Sequence, residues 1–219
     1  MINPCVIIAT HQRVEITITN IKQLIAQGVR VVLVVTDINE RKRFDNYDVH
    51  IVMHANSPLG AKWQAGVNYA RTLDPSHIVI TGSDDLLSMG FFEKYCNDYD
   101  FLGFRQWYIW HKEVLHLLRY VNIQPLGGGR VYSKWKLGKM DYRLFDTTKN
   151  KLLDDFGWNR ATEGQMKVHI YQEPEILAVK GNWPVMNKVD LNHRNVKLLG
   201  TYEGDEAMKI MKDKFNYEV

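Results

Sequence analysis

Two adjacent carboxylates, Asp84 and Asp85, stand behind Gly82 and Ser83, directly after the apolar run Ile78-Val79-Ile80-Thr81. Neighbouring carboxylates repel unless a cation or hydrogen-bond donors sit between them. A hard divalent ion, Mn²⁺ or Mg²⁺, takes such oxygen ligands and takes phosphate oxygens as well. Gly82 lets the backbone turn tightly or lie close to a ligand. The plain alternative is a turn in which one of the acids caps the helix that follows. Three further polar clusters bear on the choice: Thr10-His11-Gln12-Arg13, Thr36-Asp37 and His54-Ala55-Asn56. Each of them also ends an apolar run.

Those runs are the elements that must position the acids. Cys5-Val6-Ile7-Ile8-Ala9 is short and wholly apolar, as expected of a strand covered on both faces. Val14, Ile18, Ile21, Leu24 and Ile25 then fall on one helical face over 14–27, and Gly28 is a natural stop. Segments 29–35 and 49–53 read as the second and third strands, with a polar loop over 39–48. A helix over 61–73 carries Trp63, Val67, Ala70 and Leu73 on one face and stops at Asp74-Pro75. Segment 77–81 is the fourth strand, and Ser88 is expected to cap a short helix reaching Tyr95. Alternation of this kind predicts a mostly parallel sheet with crossover helices. Ligands bind such sheets beyond the carboxyl ends of the strands. The four polar clusters all lie at those ends, so they should face one side.

Residues 1–98 therefore read as a ligand-binding half, which the resemblance given below makes the nucleotide-sugar-binding half. Residues 99–219 read as an irregular half of the same single domain, with a modest helical face near 203–214, and the same resemblance makes it the acceptor-binding half. The overall expectation is an α/β, Rossmann-like sheet flanked by helices.

Bulk properties narrow the class. The chain has 219 residues, 45% of them apolar and 24% charged, with a formal net charge of +3. This suits one domain with a full core, and a mildly basic surface that accepts an anionic nucleotide without requiring nucleic acid. Cys5 and Cys96 fit no metal spacing and no disulfide framework, which points to a reducing compartment. With a first segment that reads as a strand rather than a leader, the expected location is a bacterial or virus-infected host cytoplasm.

Residues 4–95 resemble the nucleotide-sugar-binding half of GT-A fold glycosyltransferases, of the family 2-like type. The resemblance is carried by Pro4-Cys5-Val6-Ile7-Ile8-Ala9-Thr10-His11-Gln12-Arg13, by the 29–37 strand, by Gly60-Ala61-Lys62-Trp63-Gln64-Ala65-Gly66-Val67-Asn68, and by Ile78 through Asp85. It implies a hexosyl- or pentosyltransferase using a nucleoside-diphosphate sugar, a UDP-sugar first, with Mn²⁺ or Mg²⁺. Its acidic motif is usually Asp-x-Asp; this chain has Gly82 at the first acid. The resemblance then makes Asp84 the principal metal ligand, Asp85 its assistant, and His193 a late replacement. It places Thr10, His11 and Arg13 by the base and diphosphate, Asp37 by the base or ribose, and Lys62 by the diphosphate or sugar. Ser83 would lie beside them. Gly127-Gly128-Gly129 is similar to a glycine-rich element beside the donor sugar, which gives Gly128 and Gly129 a binding role. Asp154, Asp155 and Glu163 are the candidates for the base that an inverting transfer needs.

Other readings remain open. A nucleotidyltransferase on a related sheet would carry a glycine-rich basic loop after the first strand, and Thr10-His11-Gln12-Arg13 has no glycine. A binding module without catalysis is favoured by Gly82, and fold alone does not decide function. The aromatic run Trp107-Tyr108-Ile109-Trp110 is a candidate platform for a sugar or nucleobase. The acceptor is a glycan, a small molecule or, since compact bacteriophage transferases decorate modified bases, a modified DNA base.

Overall fold

The computed structural model describes residues 2–97, 99–121, 124–151, 153–162, 167–181 and 194–219, with 154 and 155 described for their backbone alone. In chain order the first elements are β1 (Pro4–Ala9), α1 (Val14–Ala26), β2 (Arg30–Val35), α2 (Ile38–Lys42), β3 (His50–Met53) and α3 (Leu59–Thr72). Then come β4 (His77–Gly82), β5 (Asp85–Leu87), α4 (Phe91–Tyr95), β6 (Phe101–Phe104), β7 (Gln106–His111) and β8 (Val114–Tyr120). The rest are β9 (Arg130–Ser133), α5 (Lys134–Lys139), α6 (Leu153–Thr162), β10 (Val168–Tyr171), β11 (Ile176–Lys180), β12 (Val196–Glu203) and α7 (Gly204–Phe215).

Seven strands form the main sheet, in the order β10-β6-β9-β4-β1-β2-β3. Strands β1 to β4 are mutually parallel where they pair, β9 runs antiparallel to β4 and β6, and β10 is parallel to β6. The sheet thus draws strands from both sides of residue 98. Alternate residues of β1 feed two cores, because successive strand side chains point to opposite faces. Val6 and Ile8 join Ile21 and Leu24 of α1 on one face. Cys5 and Ile7 join Val67 and Ala70 of α3 on the other. Both faces are covered, which is why β1 reads as an unbroken apolar run.

The second half, where the sequence pattern is weak, supplies four strands of a smaller sheet in the order β12-β8-β7-β11-β5, and the first half supplies β5. Its inner face packs Tyr108, Trp110, Leu115 and Leu177 against Ala207, Met211 and Phe215 of α7. Two local expectations change. The polar loop after β2 contains the short helix α2, capped by Asp37. Ser88 does not cap α4: Gly90 holds that position, in a left-handed conformation with φ 73°.

The two sheets meet at the acidic turn. β4 of the large sheet ends at Gly82 and β5 of the small one starts at Asp85, so Ser83 and Asp84 join them. No helix among the described residues is long and apolar enough to cross a membrane.

Candidate functional site

The turn is fixed from three sides. Asn20 of α1 donates its amide to the carbonyls of Gly82 (3.1 Å) and Asp85 (3.0 Å). Thr81 donates its hydroxyl to the Asp85 carbonyl at 2.9 Å. The Val179 amide of β11 donates to the Asp84 carbonyl at 2.8 Å.

The two acids, alike in sequence, have different surroundings. Asp84 is buried, and both its oxygens are matched by cations: Arg13 Nη1 lies 2.8 Å from Oδ1 and Lys180 Nζ lies 2.6 Å from Oδ2. A metal at Asp84, the ligand expected to be the principal one, would have to displace two charge-assisted hydrogen bonds. Asp85 is the carboxylate on the cleft. Burial, with the neighbouring Asp84 charge adding to it, pushes its pKa up to about 6. Lys180, Arg13 and the Gly82 amide oppose that rise.

The glycine at position 82 has a geometric reason. A Cβ there would lie 2.4 Å from Asp85 Oδ2, so the Asp85 carboxylate occupies the space of a residue-82 side chain. A Cβ on Gly128 would lie 3.1 Å from the same oxygen. Gly128 therefore walls the acid, whereas Gly129 backs onto Ile176.

These groups bound a cleft of about 720 Å³. It runs from Asp85, Gly82 and Gly128 to Trp63 and Phe145, and Leu153 at the start of α6 also lines it. Asp154 and Asp155 directly follow Leu153 in the chain. Glu163 and His193 lie outside the described residues.

The other predicted binding residues gather at the ends of β1 and β2, away from the described lining of this cleft. Lys62 is wholly buried and donates to the Thr10 carbonyl, to Thr36 Oγ1 at 2.8 Å and to Asn56 Oδ1 at 3.1 Å. An ammonium has three donors, and all three are used. Lys62 is thus a strut joining three strand ends, not a free cation for a diphosphate. Burial lowers its pKa to about 8, against the opposing pull of Glu40 and Asp37. His11 Nδ1 lies 3.1 Å from Thr36 Oγ1, and buried Thr10 meets Thr17 at 3.1 Å. Ser83 is buried in the turn. Arg13 is committed to Asp84. Asp37 Oδ1 accepts from the amides of Asn39 and Glu40, at 2.9 and 3.0 Å, which is helix capping.

Sequence reasoning missed Glu40 and Lys180. Glu40 accepts from the amides of Gln12 (3.2 Å) and Thr36 (2.7 Å), tying together the loops after β1 and β2. A lone acid in a polar segment gives no sign of this. Lys180 ends an apolar run, Ile176 to Val179, in the manner of the other polar strand ends, and that signal was readable. The aromatic run is core: Tyr108, Ile109 and Trp110 are 7–8% exposed, and Trp107 packs beside them. The cleft takes its aromatic wall from Trp63 and Phe145 instead.

Among the described residues, no three His, Cys, Asp or Glu side chains cluster as a ready-made metal cage. One carboxylate is nonetheless enough in a particular circumstance. Mg²⁺ and similar ions keep several waters and bind through one or two carboxylates plus substrate phosphates. Asp85, deep, glycine-walled and on the cleft, fits that donor set.

Comparison with known structures agrees with the fold. The chain is similar to HddC from Yersinia pseudotuberculosis, with TM-score 0.50 and 14% identity over 81% of this chain and 93% of that one. HddC complexed with GMP-PN gives TM-score 0.49 and 15% identity over the same shares. The 4-diphosphocytidyl-2C-methyl-D-erythritol synthase from Anaerococcus prevotii DSM 20548 gives TM-score 0.47 and 12% identity over 78% and 87%. No protein-family profile and no curated protein sequence matches the chain. At these identities the likeness defines a Rossmann-like α/β fold.

Proposed function

We propose that the cleft binds a nucleoside-diphosphate sugar, a UDP-sugar first, and that the chain transfers its sugar to an acceptor hydroxyl. The observation that carries this reading is the Asp85 carboxylate, set on the cleft between two glycines while the adjacent cations are spent on Asp84. Asp85 would hold Mn²⁺ or Mg²⁺ together with the donor diphosphate. The ion would neutralise charge on the departing diphosphate. Gly82 and Gly128 leave room for the Asp85 carboxylate itself, and so hold it on the cleft where the donor would lie. The acceptor oxygen bonds to the anomeric carbon as the bond to the phosphate oxygen breaks. For an inverting transfer, Asp155 or Asp154, next after Leu153, takes the acceptor proton.

Nucleotidyl transfer on the same fold is the second reading. It is favoured by HddC, whose fold the chain shares and which is also solved with GMP-PN. Against it stands the loop after β1, which lacks glycine and gives its Gln12 amide to a carboxylate, that of Glu40. A triphosphate-binding loop needs such amides for phosphate.

One experiment separates them. The protein is incubated with Mn²⁺ and UDP-glucose, UDP-galactose, UDP-N-acetylglucosamine or GDP-mannose, and free nucleoside diphosphate is measured. In parallel it receives nucleoside triphosphates with sugar 1-phosphates, and pyrophosphate is measured. Glycosyl transfer predicts slow diphosphate release that stops in Asp85→Ala. Pyrophosphate release alone would assign the second reading, and neither product would end both.

A further inference from the structure

The cleft has a wall that the transfer chemistry at Asp85 leaves unexplained. Trp63 of α3 and Phe145 stack with centroids 5.6 Å apart and planes 23° from parallel. Both rings line the cleft, and Trp63 is only half-buried. Around them are the Tyr120, Gln124, Asn150 and Lys151 side chains. Asn150 Oδ1 accepts from the Leu59 amide at 2.8 Å, which fixes the side chain and turns its NH₂ into a placed donor.

This combination selects among ligands. A pyranose has one face of C–H bonds and a rim of hydroxyls that each donate and accept. The C–H face needs a flat aromatic surface, and the rim needs carboxamides and hydroxyls. A nucleic acid would need a run of cations for its phosphates. Among the described lining residues the cations are Lys151 and Arg130. Arg130 is buried and donates to the Leu126 carbonyl at 2.7 Å and the Pro125 carbonyl at 2.9 Å. Ligand pockets of drug-sized molecules span about 300–1,000 Å³. At about 720 Å³ this one has room for a sugar beyond the group at Asp85.

We infer that Trp63 and Phe145 form a saccharide-stacking subsite, which makes a sugar ring the species bound beside the reacting centre. This rests on the reading above for its role in transfer, but not for binding itself. The shared chemistry is a pyranose face, supplied by the acceptor or by the donor sugar.

The test is saturation-transfer NMR on the full chain. The probes are the methyl glycosides of glucose, galactose, mannose and N-acetylglucosamine, with uridine as a control, each with and without UDP and Mn²⁺. Ring C–H protons of at least one glycoside should be saturated. Trp63→Leu keeps the apolar packing and removes the aromatic face, and should weaken that glycoside about tenfold. Trp63→Phe should recover most of the binding. Glycoside contact is read with neither UDP nor Mn²⁺ present as well as with them, so binding is scored apart from turnover, which separates this inference from the proposed activity. Retained glycoside binding with UDP and Mn²⁺ present assigns the acceptor sugar, and displacement by a UDP-sugar but not by UDP assigns the donor sugar. No glycoside contact, unchanged affinity in a folded Trp63→Leu variant, or loss of uridine contact in place of glycoside contact would overturn the inference.

Discussion

Asp84 and Asp85 differ by one position and by nearly everything that matters electrostatically. Asp84 is a buried anion between two cations, and breaking such a group strands the partner charges at a cost of about 3–5 kcal/mol. Asp84→Ala should therefore lower the urea midpoint sharply. Asp85 behaves in the opposite way. Its pKa is raised in the folded chain, so the cost of ionising it is present above about pH 6 and absent near pH 4. Asp85→Asn should raise stability at pH 7.5 by roughly 1–3 kcal/mol, a gain that fades as pH falls to 4, while donor turnover is lost. Gly82→Ala tests the space between them. Its methyl would meet Asp85 Oδ2 at 2.4 Å and push the carboxylate aside. Overpacking of this kind costs about 1–3 kcal/mol, and turnover should fall at least about tenfold with the fold retained by circular dichroism. The pair of acids was legible in the sequence. Their division of labour was not, because it is set by Lys180, 96 positions away.

The elements hold this site through side chains that reach across the sheet. Asn20 is buried in α1 and gives two hydrogen bonds to the turn. Asn20→Leu should cost about 2 kcal/mol and loosen the Gly82–Asp85 backbone, seen as faster amide exchange in β5. Lys62 ties β1, β2 and the loop after β3 together. Its pKa is about 8 when folded, against an ordinary value of 10.5. The unfolded chain therefore binds the extra proton between those values, and stability rises with pH across that window. Compared with Lys62→Met, the parent should gain about 1.4 kcal/mol per pH unit there, read from urea unfolding at pH 8, 9 and 10. Strands β1 to β4 and helices α1 and α3 were readable because their apolar periods are clean, whereas the three-residue β5 was not read. The α2 helix was not, since five residues with one buried side chain carry no period. Strands β6 and β9 to β12 were obscured because they form by long-range pairing, while β7 and β8 make a local hairpin. Trp107 to Trp110 looks like a binding platform until β8 and β11 are known to flank it.

Across the whole molecule the acidic turn is the seam between two sheets, and the cleft opens along that seam. Apolar runs ending in polar residues gave the side of the parallel sheet on which to look. They did not show that Lys62 and Glu40 hydrogen-bond across the ends of β1 and β2, or that the cleft at Asp85 lies by the end of β4 and the glycine wall. In the proposed reaction Asp85 binds a divalent ion together with a nucleoside diphosphate. Mn²⁺ titration followed by electron paramagnetic resonance, with and without UDP, tests it directly. Tight Mn²⁺ binding is expected only when UDP is present, lost in Asp85→Ala and kept in Trp63→Leu. Equal Mn²⁺ binding by the parent chain and Asp85→Ala, with UDP present, would contradict it.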